Sequence, residues 1–165
     1  AYTNIAATFG LEELAEERPA NYDERAAEIG VELGASERPP SVVTIYPGAT
    51  EGTLWLGGAS DLPQALVDMG FALDPNAETI EPTSSQSRAY ISFEQVNILT
   101  GDDLFMMQSA QVEGEDDALA DVTSMELWQS IPAVVAGRVH IFDRLGYPGV
   151  AGRTRILEDI RSALL

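Results

Sequence analysis

The sequence predicts an α/β fold: a three-layer αβα lobe with a mainly parallel sheet, preceded by part of a long helix. Two observations carry this. Short β-branched or apolar runs at Ser41–Tyr46, Ala89–Ile91, Asp103–Gln108 and Gly137–Phe142 alternate with stretches of helical period, an order that needs crossover connections and so sets strands parallel and covered on both faces. Hydrophobic side chains make up 45% of the 165 residues, enough for a core despite the heavy charge.

The first element spans Leu11 to Gly34, where Tyr22, Ala26, Ile29 and Leu33 recur at helical spacing and Gly34 suits the C-cap; an interruption is expected at Pro19. Pro39 and Pro40 break the pattern before the first strand, which ends at Pro47 and Gly48. A loop of small residues holding Trp55 leads to a helix marked by Leu62, Ala65, Leu66 and Met69 and closed by Gly70. Residues 74–88 are polar and read as a surface loop crossing back to the sheet. After the strand at Ala89–Ile91, Ser92 and Gln95 have the S-x-x-Q form of a capping box and open a short helix. The acidic stretch Glu113–Asp121 starts a helical region that ends with Glu126–Trp128 and Ile131–Val135. Ile156, Leu157, Ile160, Ala163 and Leu164 line one face of the last helix. Ligands in such sheets sit at the carboxyl ends of the strands, here Tyr46–Trp55, Ser109–Glu113 and Asp143–Tyr147.

Charge excludes whole classes of partner. With 27 acidic and 9 basic side chains the formal charge is −18, which repels DNA, RNA and anionic lipid alike. No apolar run approaches the roughly 20 residues of a membrane span. Cysteine is absent, which removes disulfides, thiolate metal sites and thiol nucleophiles and leaves the redox compartment open. Ala1–Phe9 is not a signal peptide and reads as an internal start, so the chain is expected to be a piece of a longer protein. Every basic residue is Arg, and the segment 138–165 carries 5 Arg against 3 acids. That local reversal, with Arg153, Arg155 and Arg161, suits either a solvated helix face or a site for an anionic ligand.

Catalytic motifs are lacking. There is no phosphate-binding P-loop and no G-x-S-x-G elbow, and Gly48–Gly52 lacks the third glycine and the helix onset of a dinucleotide fingerprint. His140, the lone histidine, lies inside a strand and reads as a satisfied sheet residue rather than a member of a catalytic triad. Glu113, Glu115, Asp116 and Asp117 lack the register of a calcium loop and read as a solvated helix N-terminus. Asp102 and Asp103 precede a strand, where a turn is expected. No nucleophile, base and orienting group combine, so no enzyme, catalytic residue, metal site or cofactor is expected.

Three stretches, in this order and spacing, carry a family resemblance. Val42–Tyr46 followed by Gly57, Gly58 and the helix Leu62–Gly70 forms the first. Ile91-Ser-Phe-Glu-Gln-Val96 with Asp102–Phe105 fits I-S-x-E-x-(L/V) followed by D-x-(I/L)-(I/V/F), and Trp128–Phe142 fits W-x-x-(I/L)-x-A-V-x-x-G-R-V. Together they resemble the siderophore, heme and cobalamin binding proteins of ABC importers, over about residues 40–165.

The resemblance implies two α/β lobes joined by a long helix, with the ligand between them. Residues 1–36 would then be the end of the interlobe helix and 37–165 the second, C-terminal lobe. It further implies a ferric siderophore or related iron chelate as ligand, an ABC permease as partner, and an extracytoplasmic protein held at the membrane by a lipid anchor on a missing N-terminal part. Heme, cobalamin and bare metal compete as ligands; the single His140 and the lack of Cys or Met pairs weaken heme and bare metal. Such chelates need aromatic faces and Arg forks, which at the strand ends makes Tyr46, Trp55, Arg144 and Tyr147 candidates, with Arg88. Glu94, in the I-S-x-E position, would dock the permease. A stand-alone flavodoxin-like interaction or regulatory domain is the other reading left open.

Overall fold

The computed structural model describes residues 12–83 and 87–165; Ala1–Phe9 and the expected helix start at Leu11 lie outside them. Helix α1 (Glu12–Leu33) runs through Pro19 without a break. The apolar face of Tyr22, Ala26, Ile29 and Leu33 follows the proline and is buried. Packing of those three turns outweighs the missing hydrogen bond, a cost of about 3 kcal/mol.

Five strands form one sheet: β1 (Ser41–Thr44), β2 (Glu51–Trp55), β3 (Arg88–Ser92), β4 (Leu104–Gln108) and β5 (Val139–Asp143), in the order β3-β2-β1-β4-β5. β1, β4 and β5 are parallel neighbours, while β2 is antiparallel to both β1 and β3. Four strands therefore point one way and β2 runs against them. The sheet is mixed, as a mainly parallel sheet with one reversed strand.

β2 occupies the segment expected to be a loop. Pro47 and Gly48 sit inside a turn closed by the Ala49 amide donating to the Tyr46 carbonyl at 3.1 Å, with Gly48 at φ 69°. Proline followed by a positive-φ glycine is the type II arrangement, and it reverses the chain. Thr53 and Trp55 then pair with Thr44 and Val42. The five residues of β2, about 17 Å at strand rise, carry Trp55 back to the amino ends of the parallel strands.

Alternation along the central strands splits the core in two. Val42, Trp55, Phe105, Met107 and Phe142 face α1, α2 (Asp61–Asp68) and α6 (Gly149–Leu164), meeting Ile29, Leu66, Ile156, Leu157 and Ile160. Val43, Leu54, Ile91, Leu104 and Met106 face the other layer: the 3-10 helix Phe93–Ile98 and helices α3 (Glu115–Thr123), α4 (Glu126–Gln129) and α5 (Pro132–Val135). Val96, Val122, Trp128 and Ile131 supply its apolar contacts. The result is the expected αβα sandwich.

Three local expectations change. The helix after Ser92 is a 3-10 helix (Phe93–Ile98), with the Glu94 N–H donating to Ser92 Oγ at 3.3 Å. The segment that begins at residue 74 is pinned at its start, since buried Asp74 accepts from Ser41 Oγ at 2.6 Å. Asp103 is neither turn nor acid pair: its buried carboxylate accepts from Arg38 Nη2 at 2.9 Å and lies 3.0 Å from His140 Nε2. His140 is thereby a satisfied sheet residue, as expected.

Candidate ligand-binding face

Parallel register brings three chain segments to one end of the sheet. Thr44 is opposite Met107 and Gln108 is opposite Asp143, so the residues that follow, Ile45–Ala49, Ser109–Gly114 and Arg144–Tyr147, share one surface. This is the place where open α/β sheets take ligands.

Arg144 is anchored there at both ends. Its amide donates to the Gln108 carbonyl at 2.8 Å, and its Nε donates to Glu115 Oε1 at 2.9 Å, with Nη2 on the same oxygen. Its guanidinium carbon lies 5.5 Å from the centre of the Tyr46 ring, within cation–π reach. Glu115 has no exposed surface and its second oxygen accepts the Ser109 amide at 2.7 Å. The hydrogen bonds it donates to Glu115 hold Arg144 above its ordinary pKa. Glu115 departs from the expected solvated N-terminus: Glu113, Asp116 and Asp117 are exposed, but this one carboxylate turns inward because a cation waits for it.

Asp143, beside Arg144, is exposed and accepts the Leu145 amide at 3.0 Å. A hydrogen bond from Ser109 and that amide keep its carboxyl below the usual range. Tyr147 is 8% exposed and its hydroxyl donates to Asp159 Oδ2 at 2.9 Å. Burial, then the Asp159 carboxylate, push its pKa up to about 12. Its ring is a core element more than an open face.

Trp55 and Arg88 do not join this surface. They pair with each other across β2 and β3, at the opposite end of the sheet, with the Arg88 guanidinium carbon 5.8 Å from the Trp55 ring. Trp55 is 5% exposed and its Nε1 donates to Thr44 Oγ1 at 3.0 Å. The expected position of both at the strands' carboxyl ends is corrected: the reversal of β2 carries Trp55 to the amino ends, and Arg88 opens β3 there. Nor do Arg153, Arg155 and Arg161 converge. Arg161 pairs with Glu32 at 2.6 Å, Arg153 lies over Tyr22, and Arg155 lies over Tyr147 with its guanidinium on the Gly146 carbonyl.

Beside the strand ends, on the α3 side, runs a groove of about 790 Å³. Ile45, Phe93, Ala118 and Val122 give it an apolar lining, Met125 and Leu127 stand half-exposed at its wall, and Glu51, Glu94 and Asp121 are its exposed carboxylates. Glu94 is thus exposed, with Val96 and Leu99 buried on the inward face of the same turn, as the spacing implies. Sequence reasoning missed this groove and also Gln108, 4% exposed, whose side-chain amide has no hydrogen-bond partner among the described residues. A polar residue ending an otherwise apolar strand was the available signal. Among the described residues no three His, Cys, Asp or Glu side chains converge to hold a metal ion, and no helix is long and apolar enough to cross a membrane.

Neither a family model nor a curated protein matches the chain. Solved structures do. A FhuD-fold periplasmic binding protein component of a Fep/Fec-like ferrichrome ABC transporter from Bacillus subtilis aligns at TM-score 0.80 and 18% identity, covering 99% of this chain and 61% of that one. The siderophore periplasmic binding protein of the fuscachelin gene cluster of Thermobifida fusca aligns at 0.76 and 23%, covering 98% and 57%. FhuD2 from Staphylococcus aureus with bound ferrioxamine B aligns at 0.73 and 15%, covering 96% and 60%. The chain has the fold of these binding proteins and spans about 60% of their length.

Proposed function

We propose that this chain is the second, C-terminal lobe of the substrate-binding component of an ABC importer for iron chelates, and that it holds a ferric siderophore against a first lobe. The carrying observation is the agreement of nearly the whole chain with siderophore periplasmic binding proteins, together with the aromatic and polar surface at the strand ends, where Tyr46 and Arg144 meet. Its chemistry is enclosure: the lobe presents faces and hydrogen-bonding groups, and among the described residues no nucleophile and base are brought together. Tyr46 and Arg144 line the cleft, and Tyr147 supports it from the core. On this reading the protein works outside the cytoplasm, lipid-anchored through its N-terminal part, and Glu94 docks the permease.

The test is retention of iron-55 by the full-length receptor mixed with ferric hydroxamate, catecholate and carboxylate chelates. Saturable binding of at least one chelate at micromolar concentration or below is expected. No retention of any would overturn the reading. The lobe alone should fold yet bind at least 100-fold more weakly, because a cleft holds its ligand by burial from both sides.

A further inference from the structure

Resting on the receptor reading, we infer that the chelate is neutral or cationic overall, of the trishydroxamate kind, and that polyanionic carboxylate or catecholate chelates are disfavoured by this lobe. The charged residues at the strand ends carry the inference, and they run against the anion site suggested by the local Arg excess of the sequence.

Arg144 offers no free positive charge. Two of its donors are spent on Glu115, a carboxylate without exposed surface, so the pair is neutral as a unit. The Arg side chains that follow this end in α6 lie back on the lobe's own groups: Arg155 reaches the Gly146 carbonyl and lies 4.0 Å from Asp159, and Arg153 lies over the Tyr22 ring. Arg25 and Arg161 hold Glu158 and Glu32, and Arg38 holds Asp103. Arg88 lies at the amino ends of the parallel strands, and so does Arg138, whose Nε donates to the Asp102 carbonyl. Against them stand exposed carboxylates. Asp143 follows β5, Glu113 follows β4, and Asp116 and Asp117 lie in the first turn of α3. Glu51, Glu94 and Asp121 border the adjoining groove. Apart from Asp143, which accepts from Ser109, Gln111 and Leu145, none of these carboxylates has an ion-pair or hydrogen-bond partner among the described residues.

A trianionic ferric chelate brought to such a surface finds the Arg144 guanidinium already committed to Glu115 and meets several like charges, a repulsion that salt screens over about 8 Å at physiological ionic strength. A neutral chelate loses nothing, and a cationic one is attracted. The exposed ring face of half-buried Tyr46 and the Arg144 stem still supply contact area to it.

The experiment measures dissociation constants of the full-length receptor for three ferric probes: ferrichrome, which is neutral, ferrioxamine B, which is cationic, and staphyloferrin B, which is anionic. The neutral and cationic probes should bind at least 10-fold tighter than the anionic one at 50 mM salt, and affinity for the cationic probe should fall as salt rises. The exposed triple variant Glu113→Gln, Asp116→Asn, Asp117→Asn should improve anionic binding about threefold or more, with ferrichrome unchanged and the same unfolding midpoint. Equal or tighter binding of the anionic probe would overturn the inference while leaving the receptor reading intact. Binding of none of the three chelates, nor of any other ferric siderophore, would overturn the receptor reading and the inference with it.

Discussion

Glu115 and Arg144 are separated by 29 positions, yet the fully buried carboxylate of one is the anchor of the other, with Arg144 Nε 2.9 Å from Glu115 Oε1. The pair ties the first turn of α3 to the end of β5, and through the Ser109 amide to the end of β4.

Removing the carboxylate should therefore cost more than a surface ion pair does. Glu115→Ala strands the Arg144 guanidinium and the Ser109 amide, and should destabilise the lobe by about 3 kcal/mol, the low end for a broken buried pair because Arg144 keeps some solvent access. Glu115→Gln keeps an acceptor and should cost about 1–2 kcal/mol. Urea unfolding at pH 7 measures both. A loss below about 0.5 kcal/mol for Glu115→Ala, the range of an ordinary surface change, would show that the pair does not hold the strand ends.

A second charged cluster sets acid stability. Burial raises the Asp103 carboxyl, but hydrogen bonds from His140 and Arg38 outweigh it and hold the group below its ordinary value. The folded state thus binds fewer protons than the unfolded state, so the stabilisation is complete above the unfolded value of about 4 and is lost as pH falls toward and through the folded value. Urea midpoints between pH 7 and pH 3 should fall steeply in the wild type and more shallowly in Asp103→Asn, which should be the less stable protein at pH 7. Equal slopes would exclude Asp103 as the titrating group.

Gly30 marks the closest approach of α1 to the end of α2: a Cβ there would lie 1.8 Å from the Met69 carbonyl oxygen. Gly30→Ala must push the helices apart, and should cost at least about 3 kcal/mol, roughly 10 °C in Tm for a domain of this size. Its neighbour Val31 is 85% exposed, and Val31→Ala should stay within about 0.5 kcal/mol. Calorimetry of the two variants checks the contrast.

Glu94→Arg should abolish chelate uptake by cells while leaving chelate affinity and thermal stability of the receptor unchanged. The side chain is exposed at the first turn after Ser92 and its carboxylate contributes to no ion pair among the described residues. A carboxylate at that position gains only about 0.3–1 kcal/mol from the helix end, too little to affect folding noticeably. Normal uptake by the variant would remove the docking role.

Much of the architecture was legible because it is local. The spacing of Tyr22, Ala26, Ile29 and Leu33 states a helix face without reference to anything distant, and each of the four is buried. The apolar runs of β1 and β4 state central strands in the same way, and both are buried along their whole length. Tyr46 and Arg144 could be placed at the strand ends since each follows a readable strand. β2 escaped because Glu51–Trp55 includes a glycine and alternates poorly, and because the turn at Tyr46–Ala49 could equally have led into a loop.

By itself the sequence determined the helices, the four strands that run one way and the αβα layering, through residue periodicity and local turn chemistry. The tertiary structure decided which side chains meet. Glu113, Glu115, Asp116 and Asp117 look alike in sequence, yet one is buried against Arg144 and the others stay exposed. A side chain's net charge in its surroundings depends on a partner within about 3 Å. Non-local packing supplies that partner, which is why the Arg-rich segment 138–165, which suits either a solvated helix face or an anion site, spends Arg144 on Glu115 and Arg161 on Glu32.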